Sequence, residues 1–159
     1  MGCYRGTMSL KFACYVKTLG QDKVVFAFDT FEGFTETHPT GWPRAGDYGD
    51  DKTSEAELWK WAALLPIVPI RGDARKTAPM YLTRPLSFLW LDLDIDKFLG
   101  PTLNGIERLI TSQTIIGLDD YGRPETPTVK PWADSVEAAG RWRKVAEYPE
   151  FIAFYQKVA

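Results

Sequence analysis

Short apolar runs, each followed within two residues by a glycine or an acidic residue, are the main pattern along this sequence. The runs are four or five residues long and cover residues 24–28, 67–70, 88–91 and 114–118. Apolar runs of this length, bounded by turn residues, predict strands buried on both faces. Apolar residues at helical spacing predict helices between them, over residues 7–19, 54–65, 101–110 and 132–139, with a helical turn at 79–82.

Strands therefore alternate with helices, and two final runs, residues 141–147 and 151–158, predict an antiparallel hairpin. This order predicts an α/β protein with a doubly wound, mostly parallel sheet and an antiparallel C-terminal hairpin. No internal repeat or shift in composition divides the chain, so residues 1–159 are expected to form a single domain. Residues 34–52 are polar and without period, which is typical of a lid, a binding loop or a disordered segment.

Local signals set several expected element ends. Gly20 is expected to end the first helix in the left-handed conformation. Ser54 is expected to cap the second helix, with Glu57 at the capping-box position. Pro69 inside the strand at 67–70 predicts an edge position, because proline has no backbone N–H to donate.

Composition narrows the function classes. The 159 residues are 45% hydrophobic and 25% charged, which is ordinary for a soluble globular domain. The net charge of −2 gives no basic footprint, so no nucleic-acid partner is expected. No apolar stretch reaches the roughly 18 residues of a membrane span. Without a signal-like segment, and with two cysteines that fit neither a disulfide framework nor a zinc site, a cytoplasmic protein is expected.

Two pairs of aspartates, Asp92 with Asp94 and Asp119 with Asp120, follow the runs at 88–91 and 114–118. The partly helical segment between the runs has the length of a βαβ unit, so the two strands should be parallel neighbours. Their C-terminal ends then lie side by side, where ligands bind in open α/β sheets. Up to four carboxylates would repel one another there, which predicts a divalent metal. Capping of a turn by Asp120 and of a helix by Asp94 is the alternative.

A second candidate site lies at the start of the chain. The turn Gly2-Cys3-Tyr4-Arg5-Gly6 precedes a predicted helix, and a glycine-bearing turn at a helix N-terminus suits a nucleotide-like ligand. An ordinary loop explains the same residues. Asp29 closes the strand at 24–28, where a carboxylate suits a diol.

These motifs, in this order, resemble class I S-adenosylmethionine-dependent methyltransferases, and within them the macrocin O-methyltransferase family. The similar segments are residues 2–9, 28–34, 72–73, 91–94 and 119–122, and the resemblance runs from residue 2 to about residue 140. It implies a Rossmann-like methyltransferase fold, with S-adenosyl-L-methionine and Mg²⁺ as cofactors. It also implies an O-methyltransferase whose partner is a small-molecule hydroxyl acceptor, such as a sugar or natural product. Homo-oligomerisation is left open.

Carried over by position, the resemblance implies roles for eleven residues. It assigns the metal to Asp92, Asp119 and Asp120, and the general base to Asp94. Within the cofactor site, Asp29 is the expected ribose ligand and Asp73 the expected border of the adenine pocket. The whole cofactor-binding set is Gly2, Tyr4, Gly6, Asp29, Thr30, Phe31 and Asp73.

The sequence departs from the family at two places. The family's first strand is absent, so the domain is expected to be N-terminally truncated relative to the family and two buried strands to lose a ladder partner. Ile95 and Asp96 stand where the family commonly has an aromatic residue. Two other functions stay open: a non-catalytic methyltransferase-fold binding domain, and a Mg²⁺-dependent haloacid-dehalogenase-type phosphatase, suggested by residues 91–94 alone.

Overall fold

The structure is a computed structural model that describes residues 1–35, 37–38, 41–49, 53–148 and 151–158, without the side chain of Thr53. Two compact units are present, Met1–Thr77 and Ala78–Ala159. The single domain expected from the sequence stays a prediction. The elements in chain order are α1 (Thr7–Thr18), β1 (Val25–Asp29), α2 (Thr53–Ala62), β2 (Ile67–Arg71), α3 (Ala74–Tyr81), β3 (Phe88–Leu91), α4 (Asp96–Ile106), a 3-10 turn (Glu107–Leu109), β4 (Ile115–Leu118), α5 (Val129–Ala138), β5 (Trp142–Tyr148) and β6 (Ile152–Lys157).

The first unit is built on a parallel pair of strands. β1 pairs with β2 from Val25 opposite Ile67 to the C-terminal ends of both strands. Its buried apolar cluster comes from α1, β1, α2, β2 and the turn after β1: Ala13, Ala27, Phe31, Leu58 and Ile67. In the described part of the chain β2 pairs with β1 alone, as expected for a strand that contains Pro69.

The second unit contains a four-stranded sheet in the order β3-β4-β6-β5. β3 and β4 are parallel, with Phe88 opposite Ile115, and β6 runs antiparallel to both β4 and β5. A Cβ atom at Gly117 would lie 2.5 Å from the ring of Trp90 and 3.1 Å from that of Phe154. Glycine therefore lets these aromatic rings close over the centre of the sheet.

The predicted fold class is confirmed: parallel strand pairs alternate with helices, and an antiparallel hairpin closes the chain. Among the described residues, β1 pairs only with β2 and β3 only with β4. Each of these strands thus has one edge without a strand partner among the described residues, and the truncation relative to the family stays a prediction. No helix in the described ranges is long and apolar enough to cross a membrane.

Two helices are longer than the sequence predicts, and both contain a proline. α3 was expected only as a turn at 79–82 but begins at Ala74, and α4 begins at Asp96 instead of residue 101. Proline inside a helix removes one backbone hydrogen bond. Burial compensates in α4, where Leu99, Leu103 and Ile106 lie in the core, because packing of an apolar face provides most helix stability in proteins.

The predicted cap of the second helix is wrong. α2 begins at Thr53, so Ser54 lies inside the helix and is buried, while Glu57 pairs with Lys60 on the helix surface. The expected end of α1 is confirmed, since Gly20 follows it with φ of 61°. α5 begins at Val129, three residues before its predicted start.

The described part of the 34–52 segment folds back on itself. Glu32 and Gly49 form an isolated antiparallel bridge, and the Phe34 N–H donates to the Asp47 carbonyl at 3.0 Å. The Tyr48 ring packs edge-on against three aromatic rings, with centroids 5.5, 5.9 and 6.2 Å away. These rings belong to Tyr4, Phe34 and Trp42. Closure of this loop over a substrate stays a prediction.

Candidate functional site

Asp29, at the C-terminal end of β1, organises the N-terminal turn. Its Oδ2 accepts the backbone N–H groups of Cys3 at 2.8 Å and Tyr4 at 2.7 Å, and its Oδ1 accepts that of Phe31 at 2.8 Å. Hydrogen bonds to an ionised acceptor are roughly twice as strong as neutral ones. The structure therefore joins the predicted ribose ligand to the predicted glycine-bearing turn in one arrangement.

The conformation of this turn depends on its glycines. Gly2 has φ of 73°, and Gly6, which caps α1, has φ of 79°. A Cβ atom at Gly6 would lie 2.4 Å from a methyl carbon of Leu58. A side chain there meets both an unfavourable φ and an occupied space. The turn brings the predicted cofactor residues of the N-terminus to the end of β1, beside Thr30.

Asp73 follows β2, and its own chain neighbours already bind its carboxylate. The Arg75 side chain donates through Nε to Oδ1 at 2.9 Å and through Nη2 to Oδ2 at 2.7 Å, and the Arg75 N–H donates to Oδ1 at 2.9 Å. Burial acts to raise the pKa of Asp73, but these hydrogen bonds outweigh it and the pKa is lowered. The arrangement starts α3, and the adenine-bordering role stays a prediction.

Four aspartates lie at the ends of β3 and β4, but three of them converge. Carboxylate oxygens of Asp92, Asp94 and Asp120 all lie within 4.8 Å of one another, and we call these three residues the carboxylate trio. Asp119 is not one of the three, but its side chain hydrogen-bonds with that of Asp92. Its N–H donates to the Leu91 carbonyl at 2.9 Å, and its Oδ1 accepts the Asp120 N–H at 3.0 Å.

The composition of the trio differs from the expected ligand set. The sequence assigned the metal to Asp92, Asp119 and Asp120 and the base to Asp94, whereas the structure places Asp94 in the trio. Asp94 and Asp120 both have left-handed backbone, with φ of 56° and 60°. Such a residue redirects its side chain away from the direction an extended strand would give it, so position after a strand does not decide which carboxylates meet.

The trio is electrostatically strained without a cation. Burial raises the pKa of Asp94 to about 9, helped by a hydrogen bond with Asp120 and by the charges of Asp92, Asp120 and Asp119. Burial also raises the pKa of Asp119. The Arg123 guanidinium lies 3.2 Å from Asp120 Oδ1. Closely spaced carboxylate oxygens are the donor set that hard divalent cations such as Mg²⁺ prefer, so the residues present fit this ion.

A polar cluster beside the trio was not found from the sequence. Tyr121 follows Asp120 directly and is 3% exposed, and its hydroxyl contacts two lysines and an aspartate. The spacing of Lys130 and Asp134, four residues apart on one helix, was the available signal.

No model of a known protein family matches this sequence, and no curated protein matches it. Its fold, however, is that of solved methyltransferases. CalS11, described as a calicheamicin methyltransferase, matches with a TM-score of 0.79 at 20% identity, over 98% of this chain and 69% of that chain. The O-methyltransferase NovP matches with a TM-score of 0.78 at 16% identity, over 100% and 70%. The SAH-bound methyltransferase PaMTH1 of Podospora anserina matches with a TM-score of 0.67 at 14% identity, over 99% and 70%.

Proposed function

We propose that this protein is an S-adenosylmethionine-dependent, Mg²⁺-assisted O-methyltransferase that acts on a hydroxyl of a sugar or sugar-bearing natural product. The observation that carries the proposal is the carboxylate trio at the C-terminal ends of two parallel strands. Support for the acceptor class comes from the neighbours: an apo structure of CalS11 is described as a TDP-rhamnose 3'-O-methyltransferase.

The cation would be held by Asp92, Asp94 and Asp120. Mg²⁺ lies about 2.0–2.1 Å from its oxygen ligands, so two ligands on one ion are at most about 4.2 Å apart. The trio oxygens lie within 4.8 Å of one another. A shift of several tenths of an ångström would therefore bring them to bonding distance, and the ion would relieve the repulsion that raises the pKa of Asp94.

The cofactor would bind at the N-terminal turn. Asp29 holds the Cys3 and Tyr4 N–H groups, which fixes the backbone between Gly2 and Gly6 at the start of α1. A carboxylate oxygen has two acceptor sites. Within the described ranges, Asp29 Oδ1 accepts one N–H, from Phe31, which would leave capacity for one ribose hydroxyl.

The chemistry follows from these residues. A bound Mg²⁺ would make a coordinated hydroxyl more acidic, as it does for water. Asp94, which the resemblance assigns as the general base, would accept the proton of the acceptor hydroxyl. The hydroxyl oxygen then forms a bond to the methyl carbon as the carbon–sulfur bond breaks, and S-adenosylhomocysteine leaves. Orientation of the two substrates supplies most of the rate enhancement.

Methyl transfer from isotopically labelled S-adenosylmethionine to TDP-rhamnose, with Mg²⁺ present, tests the proposal. We expect a methylated product by mass spectrometry and saturable S-adenosylmethionine binding by calorimetry. Cofactor binding without transfer to any sugar nucleotide or glycoside tested would indicate the non-catalytic binding domain instead.

Two substitutions separate the proposed roles within the trio. Asp94→Asn keeps a ligand oxygen but loses the proton acceptor, so kcat should fall by about 10²–10⁴ while Mg²⁺ affinity falls much less. Asp92→Asn, the matched control, lowers the charge of the site by the same amount and leaves Asp94 in place. Equal losses of kcat in the two variants at saturating Mg²⁺ would contradict the proton-transfer role of Asp94.

A further inference from the structure

The hydroxyl of Tyr121 has a complete set of partners. It donates to Asp134 Oδ1 at 2.7 Å and accepts from Lys130 Nζ at 2.7 Å and Lys144 Nζ at 2.8 Å. A phenolic oxygen offers one proton and accepts at its lone pairs, so these three bonds use its capacity. We call Tyr121, Lys130, Asp134 and Lys144 the Tyr121 cluster.

The cluster ties three parts of the second unit together. Lys130 and Asp134 lie on α5, Lys144 lies on β5, and Tyr121 lies in the loop after β4. Both ammonium groups also lie over the Tyr121 ring, 4.5 and 4.8 Å from its centroid. Each lysine has an acidic partner as well: Lys130 bonds Asp134 Oδ2 at 2.8 Å, and Lys144 bonds Glu147 Oε2 at 2.7 Å. The hydrogen bonds that the two lysines donate to these carboxylates and to Tyr121 raise the pKa of both lysines, so both stay charged.

Tyr121, the residue at the centre of this cluster, directly follows Asp120, a member of the carboxylate trio. Asp120 has left-handed backbone, a region that most residues with a side chain avoid and that Asp enters more readily than most. Hydrogen bonds on both sides of Asp120 hold it in this conformation. The Tyr121 N–H donates to the Phe151 carbonyl at 2.8 Å, and the Thr126 hydroxyl donates to the Asp120 carbonyl at 3.1 Å. The Tyr121 hydroxyl adds three side-chain hydrogen bonds to these bonds, which tie the loop after β4 to α5 and β5.

We propose that Tyr121 is a positioning residue, which, through Lys130, Asp134 and Lys144, holds the Asp120 carboxylate where it meets Asp92 and Asp94. This inference rests on the proposed function, because its consequence is the affinity of the trio for a divalent cation. Tyr121 itself takes no part in proton transfer or in binding the cation.

Tyr121→Phe tests the inference, with Tyr148→Phe as the control. Tyr148 belongs to the same unit, its side chain is exposed, and it lies outside the Tyr121 cluster. Calorimetric titration with Mg²⁺, without substrate, should give a dissociation constant at least ten times weaker for Tyr121→Phe and within twofold of native for Tyr148→Phe. In turnover with TDP-rhamnose, Tyr121→Phe should raise the Mg²⁺ concentration for half-maximal rate, and excess Mg²⁺ should restore kcat.

The results with native protein and with the Tyr121→Phe variant distinguish failure of the proposed function from failure of this inference. Native protein that binds no Mg²⁺ overturns the metal part of the proposed function and this inference with it. Native protein that binds Mg²⁺, with a Tyr121→Phe variant that binds it equally well, overturns this inference alone. If Tyr121→Phe does not fold, Lys130→Gln removes one hydroxyl partner from a half-exposed helix position. An affinity at least threefold weaker supports the inference, and an unchanged affinity overturns it.

Discussion

The carboxylates of the two candidate sites have opposite surroundings. In the first unit, Asp29 is surrounded by donors, since three backbone N–H groups point at its two oxygens. In the second unit, Asp92, Asp94 and Asp120 face one another, and the pKa of Asp94 rises to about 9 through burial and the nearby carboxylates. Backbone N–H groups stabilise the negative charge of Asp29, whereas the trio brings several carboxylates together.

This difference separates a carboxylate that shapes a binding turn from carboxylates that bind a cation. Donors to an ionised group stabilise its charged form, while burial among like charges disfavours it. A site of the first kind is complete without an ion. A site of the second kind becomes complete only when a cation or protons arrive, so the two sites should respond differently to chelation, substitution and pH.

Chelation should give the largest effect. With the metal-free protein in EDTA, we expect turnover to fall by roughly 10²–10⁴, the worth of several kcal/mol of metal assistance. Binding of S-adenosylmethionine at the Asp29 turn should change little, because that turn is held by backbone donors. Parallel activity assays and calorimetry check this, with added Mg²⁺ as the reversal control. Full turnover in EDTA would show that activity does not need a cation at the trio, and would contradict the distinction between the two sites.

Substitution of Asp29 should affect the cofactor alone. Asp29→Asn loses a charged acceptor of backbone N–H groups, and hydrogen bonds to charged groups are worth about 1.5–3 kcal/mol. S-adenosylmethionine should bind roughly 10- to 150-fold more weakly, with Mg²⁺ affinity unchanged. Asp22→Asn, at an exposed position of the same unit, is the control for lost charge. Native affinity in the Asp29 variant would exclude this residue from the cofactor site.

The stability of the metal-free protein should fall as pH rises. An unfolded aspartate has a pKa of about 3.9, and burial raises that of folded Asp94 to about 9. The folded state therefore holds a proton that the unfolded state loses, so this contribution is complete below about pH 4 and is lost as pH rises through 9. Thermal melts in EDTA should show a fall in Tm of at least ~3 °C between pH 5 and 9. Asp94→Asn should flatten this profile; a slope as steep as native would assign it to other groups.

The smallest effect is expected at Asp73, which follows β2 and accepts hydrogen bonds from Arg75. Its bonds with Arg75 are partly exposed, and such pairs contribute about 0–1 kcal/mol. Asp73→Asn should lower the free energy of unfolding by no more than about 1 kcal/mol, measured by urea denaturation at pH 7. Arg75→Gln, which removes the same pair from the other side, should give a matching loss. A much larger loss in the Asp73 variant alone would point to a partner beyond Arg75.

Much of the fold follows from local sequence. Four apolar runs became β1 to β4, although the expected burial of both faces holds only in part, since Phe26 in β1 and Phe88 in β3 are exposed. The starts of α3 and α4 did not follow, because Pro79 and Pro101 were expected to begin the helical segments at 79–82 and 101–110, whereas both lie inside the helices. Their positions inside helices depend on packing against residues that are distant in the sequence, so a short stretch of sequence does not predict them.

The candidate site was only partly predictable for a similar reason. The strand ends that carry the aspartates were found, because chain order and spacing decide which strands are neighbours. Which of the carboxylates lie closest together was not, because it depends on the left-handed φ of Asp94 and Asp120, and the predicted metal ligands stay a prediction. Tyr121 was missed because its partners Lys130 and Lys144 lie on separate elements, and their convergence is a tertiary property.

The left-handed backbone at Asp94 and Asp120 has a consequence for the evolution of this protein. Among ordinary residues, Asn, Asp and Gly occupy this region most readily. A lineage that abandoned the cation would keep the two turns by drifting to Asn or Gly, whereas Ala, Val or Leu would strain the backbone at once. Comparison of relatives at positions 94 and 120 would thus distinguish two changes. Asn or Gly at these positions would indicate that cation binding was lost while the turn was kept, and a branched or apolar residue would indicate that the turn itself was lost.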